Sequence, residues 1–424
     1  MRAISLQKFQ RRVFILCWCA YAGAYLCRSN LSIALPGMMS DQGWSKIDVG
    51  LFGTAFFWAY AIGQLINGTI GDKVKSRPFI FVGLCVSSLA NLAVGFSSNT
   101  YTIIFLWCIN GFFLSTLWGP IVKTMSLWYT PQERAKKAVI LSCSMIGGYF
   151  LAWGVVGQII VHLSWRWAFW IPAAIVFAFS LVWLAKMRNC PEEVGLNRVD
   201  ESLGTSVEKM EQDVDASKIS FVKVIVDTRL WLVALTCIAQ GIVKDGIALW
   251  APTFLGDTHK LGQSAVSLFS LAIPLMSLFG ILGAGWLNSK YPGNERKSVI
   301  ILISAAAVSS LLLYLFFHAN AIITITLLSL TIALMYGANT ILLTFIPLKY
   351  EKYGKVSSAV GFLDFTAYLG AAAAGILIGL ISDRIGWNYV VLSWVVISVL
   401  GVVFMSACKN EKREKIEEKE VQTV

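Results

Sequence analysis

Long apolar runs separated by short polar ones set the pattern of this chain. Twelve such runs can be marked over its 424 residues, at about 13–37, 47–70, 79–97, 101–127, 138–162, 167–187, 229–255, 264–288, 298–317, 321–346, 357–381 and 389–408. A hydrocarbon layer of about 30 Å needs roughly 20 apolar residues in a helix. Inside that layer every backbone N–H and C=O must be satisfied within the chain, so each run is predicted as a helix. The expected fold is all-α: twelve transmembrane helices in two pseudo-symmetric six-helix halves. The longest polar stretch, 189–228, falls midway and reads as a cytoplasmic linker. It separates an N-terminal half, 1–188, from a C-terminal half, 229–408, and residues 409–424 form a solvated cytoplasmic tail.

Charge gives the orientation. Counting Lys and Arg by segment puts 28 of 35 on the side of the N-terminus. Four, Lys46, Arg166, Lys260 and Arg384, fall on the other side, and Arg28, Lys123 and Lys244 lie within runs. Basic residues gather in cytoplasmic loops, so both termini are expected inside. The net charge of +11 is then a topological signal and not a nucleic-acid footprint. The chain is 57% hydrophobic and only 14% charged, against about 25% charged in soluble domains. That excludes a cytosolic enzyme and a disordered protein. The first apolar run is too long for a signal peptide and lacks a small-residue cleavage site. None of the nine cysteines falls in an outside segment, and no Cys/His spacing suits a metal. No disulfide, metal or cofactor is therefore expected.

The two halves look related. Arg28 and Lys244 each lie fifteen residues into their runs, at an offset of 216. "GTIGDK" at 68–73 and "GWLNSK" at 285–290 repeat at 217, and "WGP" at 118–120 and "YGA" at 336–338 at 218. Duplicated halves around a midplane site describe a secondary transporter. Arg28, Lys123, Lys244, Asp245 and Asp364 are ionisable within runs. A charge at the bilayer centre costs at least about 2.5–3.5 kcal/mol, so each needs a reason. Arg28 offers a rigid fork for a phosphate or carboxylate, and Lys244 a point charge from the other half. Each has the alternative of a structural ion pair. Asp245, next to Lys244, is expected to face a neighbouring helix. Asp364 has three roles open to it: pairing with Lys244, contact with a substrate hydroxyl, or proton coupling. Lys123 is read as an interfacial anchor, with attraction of anions to the entrance as the alternative. Gly147, Gly148 and Gly370 are read as points of close helix contact.

The segment "GTIGDKVKSR" carries Gly68, Asp72, Lys73 and Arg77 in the spacing of the loop 2–3 signature of the major facilitator superfamily. The resemblance implies that these residues act as a conformational latch. The second copy has Ser289 in place of the acid. Within that superfamily the chain resembles the organophosphate:phosphate antiporters, which include bacterial glycerol-3-phosphate and hexose-phosphate transporters. "YAGAYLCRSN", "WGPIVKTMSLWYTPQER", "NCPEEVGL" and "KDGIALWAPTFL" carry that likeness. It implies a substrate site made of Arg28, Lys244, Tyr21, Tyr25, Tyr60, Gln64, Met145, Tyr336 and Tyr368, to which the charge reading above adds Asp364. Three of these depart from the pattern: Lys244 stands where the exchangers have Arg, Gln64 where the glycerol-3-phosphate type has Lys, and Met145 where it has His.

The function expected from these observations is alternating-access exchange of a small phosphorylated metabolite for inorganic phosphate, by a monomer in a bacterial inner membrane. Proton-coupled symport of organic carboxylates, with Asp364 or Asp245 carrying the proton, is the alternative. A transporter-like sugar-phosphate sensor is the third reading. No nucleophile–base pair suggests an enzyme, and beyond its substrate, phosphate and the lipid bilayer no partner is expected.

Overall fold

The computed structural model describes residues 2–196, 221–318, 320–350 and 356–408. A few side chains inside the helices, Asp72 among them, lie outside the described set. The described chain is helical throughout. The first half runs α1 (Arg2–Gln42), α2 (Lys46–Lys73), α3 (Ser76–Phe96), α4 (Thr100–Leu114), α5 (Trp118–Trp128), α6 (Pro131–Tyr149), α7 (Gly157–His162) and α8 (Trp167–Lys186). The second runs α9 (Phe221–Asp227), α10 (Leu230–His259), α11 (Gln263–Ser270), α12 (Ala272–Lys290), α13 (Glu295–Leu315), α14 (Ala321–Thr340), α15 (Ile346–Leu348), α16 (Val356–Arg384) and α17 (Trp387–Ala407).

Among the described residues, eleven helical stretches are long and apolar enough to cross a membrane. They match the second to twelfth predicted runs. The first run is a helix, but α1 is absent from that set. Its apolar stretch is diluted by Arg28, Ser29, Asn30 and Ser32. Those polar groups are mostly buried: Asn30 Nδ2 donates to Asn91 Oδ1 at 2.8 Å and to the Ala168 carbonyl at 2.9 Å. A helix shielded by its neighbours can afford such residues, because they find partners in protein instead of lipid. Of the predicted linker, Pro191–Val194 forms a 3-10 turn and Phe221–Asp227 is α9. The intervening 197–220 and the tail 409–424 lie outside the described residues.

Capping residues start several helices where the sequence turns polar. Ser45 and Asp48 form a capping box on α2, and Thr130 and Glu133 one on α6. Such boxes satisfy two of the free N–H groups at a helix start. Glycines allow close crossing of the long helices. A Cβ on Gly370 would stand 2.2 Å from the Ile238 carbonyl, and one on Gly148 2.5 Å from that of Ala22. These contacts press α16 onto α10 and α6 onto α1, four of the helices that frame the site.

Candidate functional site

The site is built where α1 meets α10. Arg28 Nη2 donates to Asp245 Oδ1 at 3.3 Å, and Lys244 Nζ lies 3.1 Å from Asp245 Oδ2. The Lys244 contact is a charge pair without hydrogen-bond alignment, so Oδ2 accepts no donor although it is buried. The side chains of Arg28, Lys244 and Asp245 are 11%, 8% and 2% exposed. One carboxylate thus stands between two cations, one from each half of the chain. The Lys244–Asp364 pair entertained from sequence does not form, since Lys244 turns to its own chain neighbour. Asp245 also faces α1, as expected of it.

Aromatic rings surround the cations. The Arg28 guanidinium lies over Tyr25, Phe56, Phe57, Tyr60 and Tyr368 at 5.1–5.5 Å from the ring centres. Lys244 Nζ lies 5.1 Å from the centre of Tyr336. Ring faces offer a dehydrated cation electrostatic compensation, about 2 kcal/mol for a desolvated pair.

Beside this cluster lies a cavity of about 270 Å³. Tyr21, Tyr25, Tyr60, Gln64, Met145, Lys244, Tyr336, Asp364 and Tyr368 all line it, together with Trp118, Asn339 and Thr344. Nine of the ten residues named from sequence therefore share one wall. The tenth, Arg28, borders a separate space of about 30 Å³ with Ser29, Ser32, Tyr149 and Asp245. The two cations are not side by side on one surface: Asp245 separates them. Among the described residues Asp364 forms no ion pair, although it shares the cavity with Lys244. Trp118 and Tyr336, the first residues of the repeated tripeptides, both reach the cavity.

Local breaks in the helices shape the cavity wall. The chain departs from helix between α4 and α5, just before Trp118. Wider π-helical turns occupy Phe150–Val156, following Tyr149, and Ile341–Phe345, following Asn339 and Thr340. Such turns recur at functional sites because the extra residue re-aims side chains. Nothing in the apolar pattern announces them.

Two further clusters lie at the ends of the bundle. At the end where α2 finishes, Lys123 Nζ donates to the carbonyls of Gly71 and Val74 at 2.9 and 3.0 Å. It thereby satisfies the end of α2, a more specific role than an interfacial anchor. Arg77 Nε donates to the Leu184 carbonyl at 2.7 Å, and Asn189 Oδ1 accepts from the Arg77 backbone at 2.8 Å. Burial pushes Glu193 up, but hydrogen bonds from Asn189 prevail and hold its carboxyl below the usual range. Lys73 is exposed, Gly68 has open space around it, and the Asp72 side chain lies outside the described residues.

At the opposite end the two halves of the chain are in contact. Lys46 Nζ lies 2.7 Å from Asp257 and 3.8 Å from Asp383. Gln263 Nε2 donates to the Ile33 carbonyl at 3.0 Å, and Gln158 Nε2 to that of Ser264 at 2.9 Å. A Cβ on Gly379 would stand 2.5 Å from the Lys46 carbonyl. The bundle is closed at the Lys46 end, and the cavity walls run from mid-depth toward the Lys73 end, through Gln64 and Val360.

The Major Facilitator Superfamily model matches residues 17–364. The chain belongs to that superfamily. A probable hexose phosphate transport protein of Chlamydia pneumoniae is 28% identical over 397 residues, covering 89% of this chain and 86% of its own. The glycerol-3-phosphate transporter of Bacillus subtilis (strain 168) is 25% identical, covering 96% and 94%. The membrane sensor protein UhpC of Escherichia coli (strain K12) is 26% identical, covering 91% and 89%. These relatives include transporters of phosphorylated compounds and a membrane sensor. Among solved structures, a bacterial homolog to the human lysosomal transporter Spinster, inward-facing and occupied, aligns with TM-score 0.73 at 14% identity, over 94% of this chain and 97% of that one. This superfamily member is a multi-pass membrane protein, and its family is one of transporters, not of enzymes.

Proposed function

We propose that this chain is a secondary transporter that exchanges a small phosphorylated organic anion for inorganic phosphate by alternating access. The observation that carries the reading is the cluster at mid-depth. Arg28 of the first half and Lys244 of the second meet on the two oxygens of Asp245, beside a cavity of metabolite size. Within that cluster two positive charges face one negative one. An anion entering the cavity reaches Lys244 directly, and the Arg28 fork once Asp245 yields. Its charge lowers the cost of enclosing the cations when the halves rock. No covalent chemistry is required. The hexose-phosphate and glycerol-3-phosphate relatives support a phosphorylated substrate.

The orientation belongs to the same proposal. The Lys73 end, where the basic loops gather, is the cytoplasmic one, and the conformation described is then open to the inside. The twelve-span, two-half organisation, the monomeric state and the latch role of Gly68, Asp72, Lys73 and Arg77 are proposed with it.

Asp364 favours a second reading. A carboxyl on the cavity wall with no ion partner among the described residues suits a proton carrier, hence symport of an organic carboxylate. The test is exchange in proteoliposomes loaded with phosphate, at equal pH on both sides. Exchange of external labelled phosphate for internal phosphate under these conditions supports the antiporter. Uptake that requires an imposed pH gradient and no internal phosphate supports the symporter. Binding of a sugar phosphate without any flux points to a sensor.

A further inference from the structure

We propose that the organic end of the substrate carries an ammonium group, received by Asp364, so that the transported molecule is an amino-bearing phosphate ester. The inference rests on the phosphate-binding reading above and deepens it. Its starting point is the charge of the whole site. Arg28 and Lys244 bring two positive charges, and Asp245 and Asp364 two negative ones. A phosphate monoester adds about −1.5 to −2 at pH 7. A plain sugar or polyol phosphate would leave the enclosed cavity strongly negative, which is costly in a low-dielectric interior. A substrate carrying its own cation removes about half to two-thirds of that excess.

The arrangement of acceptors points the same way. Asp364 lies four residues before Tyr368 on α16, one helical turn or about 6 Å along the axis. Tyr368 is packed against Arg28, at 5.5 Å from ring centre to guanidinium. Lys244 is the cation on this cavity's wall, and Asp364 shares that wall about one turn nearer the Lys73 end than Tyr368. Asn339 and Gln64 line the same space. Asn339 Oδ1 is buried and accepts no hydrogen bond. A buried acceptor without a donor costs free energy, so a ligand that brings N–H donors gains there. An ammonium presents three donors where a hydroxyl presents one, and so has more to give to Asp364 and the unsatisfied Asn339 Oδ1.

The experiment uses matched pairs on the full-length purified protein: 2-aminoethyl phosphate against 2-hydroxyethyl phosphate, and glucosamine 6-phosphate against glucose 6-phosphate. Affinities are read by inhibition of phosphate exchange and by ligand-induced thermal shift. A charge-assisted hydrogen bond is strong enough that the amino member of each pair should bind about tenfold tighter or better. Asp364→Asn should erase that preference and Asp364→Glu should keep it, with ligand-free melting temperatures reporting whether each variant folds. Equal binding within the pairs in the wild type overturns the inference while leaving phosphate recognition standing. A preference that survives Asp364→Asn also overturns it. If neither pair nor inorganic phosphate binds, the phosphate-binding reading falls and this inference with it.

Discussion

Two three-charge clusters join the halves of this chain, and they are mirror images in charge. At mid-depth one acid, Asp245, lies between two bases, with side chains 2–11% exposed. At the closed end one base, Lys46, lies between two acids, Asp257 and Asp383, at 19–38% exposure. The number of charges is the same, but the surroundings differ. Water and salt screen the outer cluster, so making or breaking it costs about a kcal/mol or less. The inner cluster has lost most of its water, so breaking one of its pairs strands a buried charge at a cost of about 3–5 kcal/mol. The comparison teaches that burial, not charge count, sets how firmly a cluster holds. On the proposed transport reading the inner cluster meets the ligand and the outer one opens.

The largest effect on transport should come from the inner cluster's fork. Arg28→Lys keeps the charge but loses the planar pair of donors. We expect transport to fall by about 100-fold or more, an amount equal to about 2.7 kcal/mol of lost recognition. Membrane abundance, measured on the same cells, should be unchanged. Wild-type uptake in this variant would remove Arg28 from the site and reduce the inner cluster to a structural pair.

Asp245→Asn should come next. It leaves Arg28 and Lys244 facing each other without a counter-charge, and breaking a buried cluster in this way costs about 3–5 kcal/mol. The melting temperature should drop accordingly and should be recovered in part by millimolar phosphate. Saturation at 100 times Kd restores about 2.7 kcal/mol. A drop that phosphate cannot lessen would mean that the cations are not open to an anion. Lys244→Gln should then raise the apparent KM by about tenfold, whereas Lys244→Arg should keep substantial transport. In double-mutant cycles on stability, Lys244 should couple to Asp245 and only weakly to Asp364, because coupling is strong between groups in contact.

Much of the inner cluster could be read from the chain. Arg28, Lys244 and Asp364 interrupt apolar runs, where a charge is too costly to be incidental, and nine predicted residues line one cavity. The pairing was not legible. Neighbours on a regular helix point about 100° apart, so Asp245 looked unlikely to meet Lys244. Lys244 Nζ nevertheless lies 3.1 Å from Asp245 Oδ2. The π-helical turns were invisible because an added residue leaves the apolar count unchanged. The outer cluster was missed entirely. Lys46 and Asp383 are 337 residues apart, and both sit in polar boundaries that carried only a topological signal. The eleven matched spans were the most legible part, because span length is set by the bilayer. Only α1 departed, since its buried partners relieve it of the need to be apolar.

The smallest expected effect tests the other side of the comparison. Lys46→Gln removes both outer ion pairs and the cation over the Trp387 ring, which lies 5.2 Å from Lys46 Nζ. Partly exposed pairs contribute about 0.2–1 kcal/mol each. The closed end should therefore open more often, by about twofold to fivefold, while substrate affinity measured from the Lys73 end hardly changes. The readout is labelling of a cysteine placed at Ser267, which packs against Gly157 at this interface, in a background lacking the nine native cysteines. A membrane-impermeant thiol reagent should label it faster in the Gln variant. High salt should speed labelling of the Lys46 protein toward the same rate, because screening weakens exposed pairs far more than buried ones. Asp245, probed in parallel, should show little salt dependence of stability. If Lys46→Gln instead cost as much transport as Arg28→Lys, the outer cluster would be part of the binding chemistry. The distinction drawn from burial would then fail.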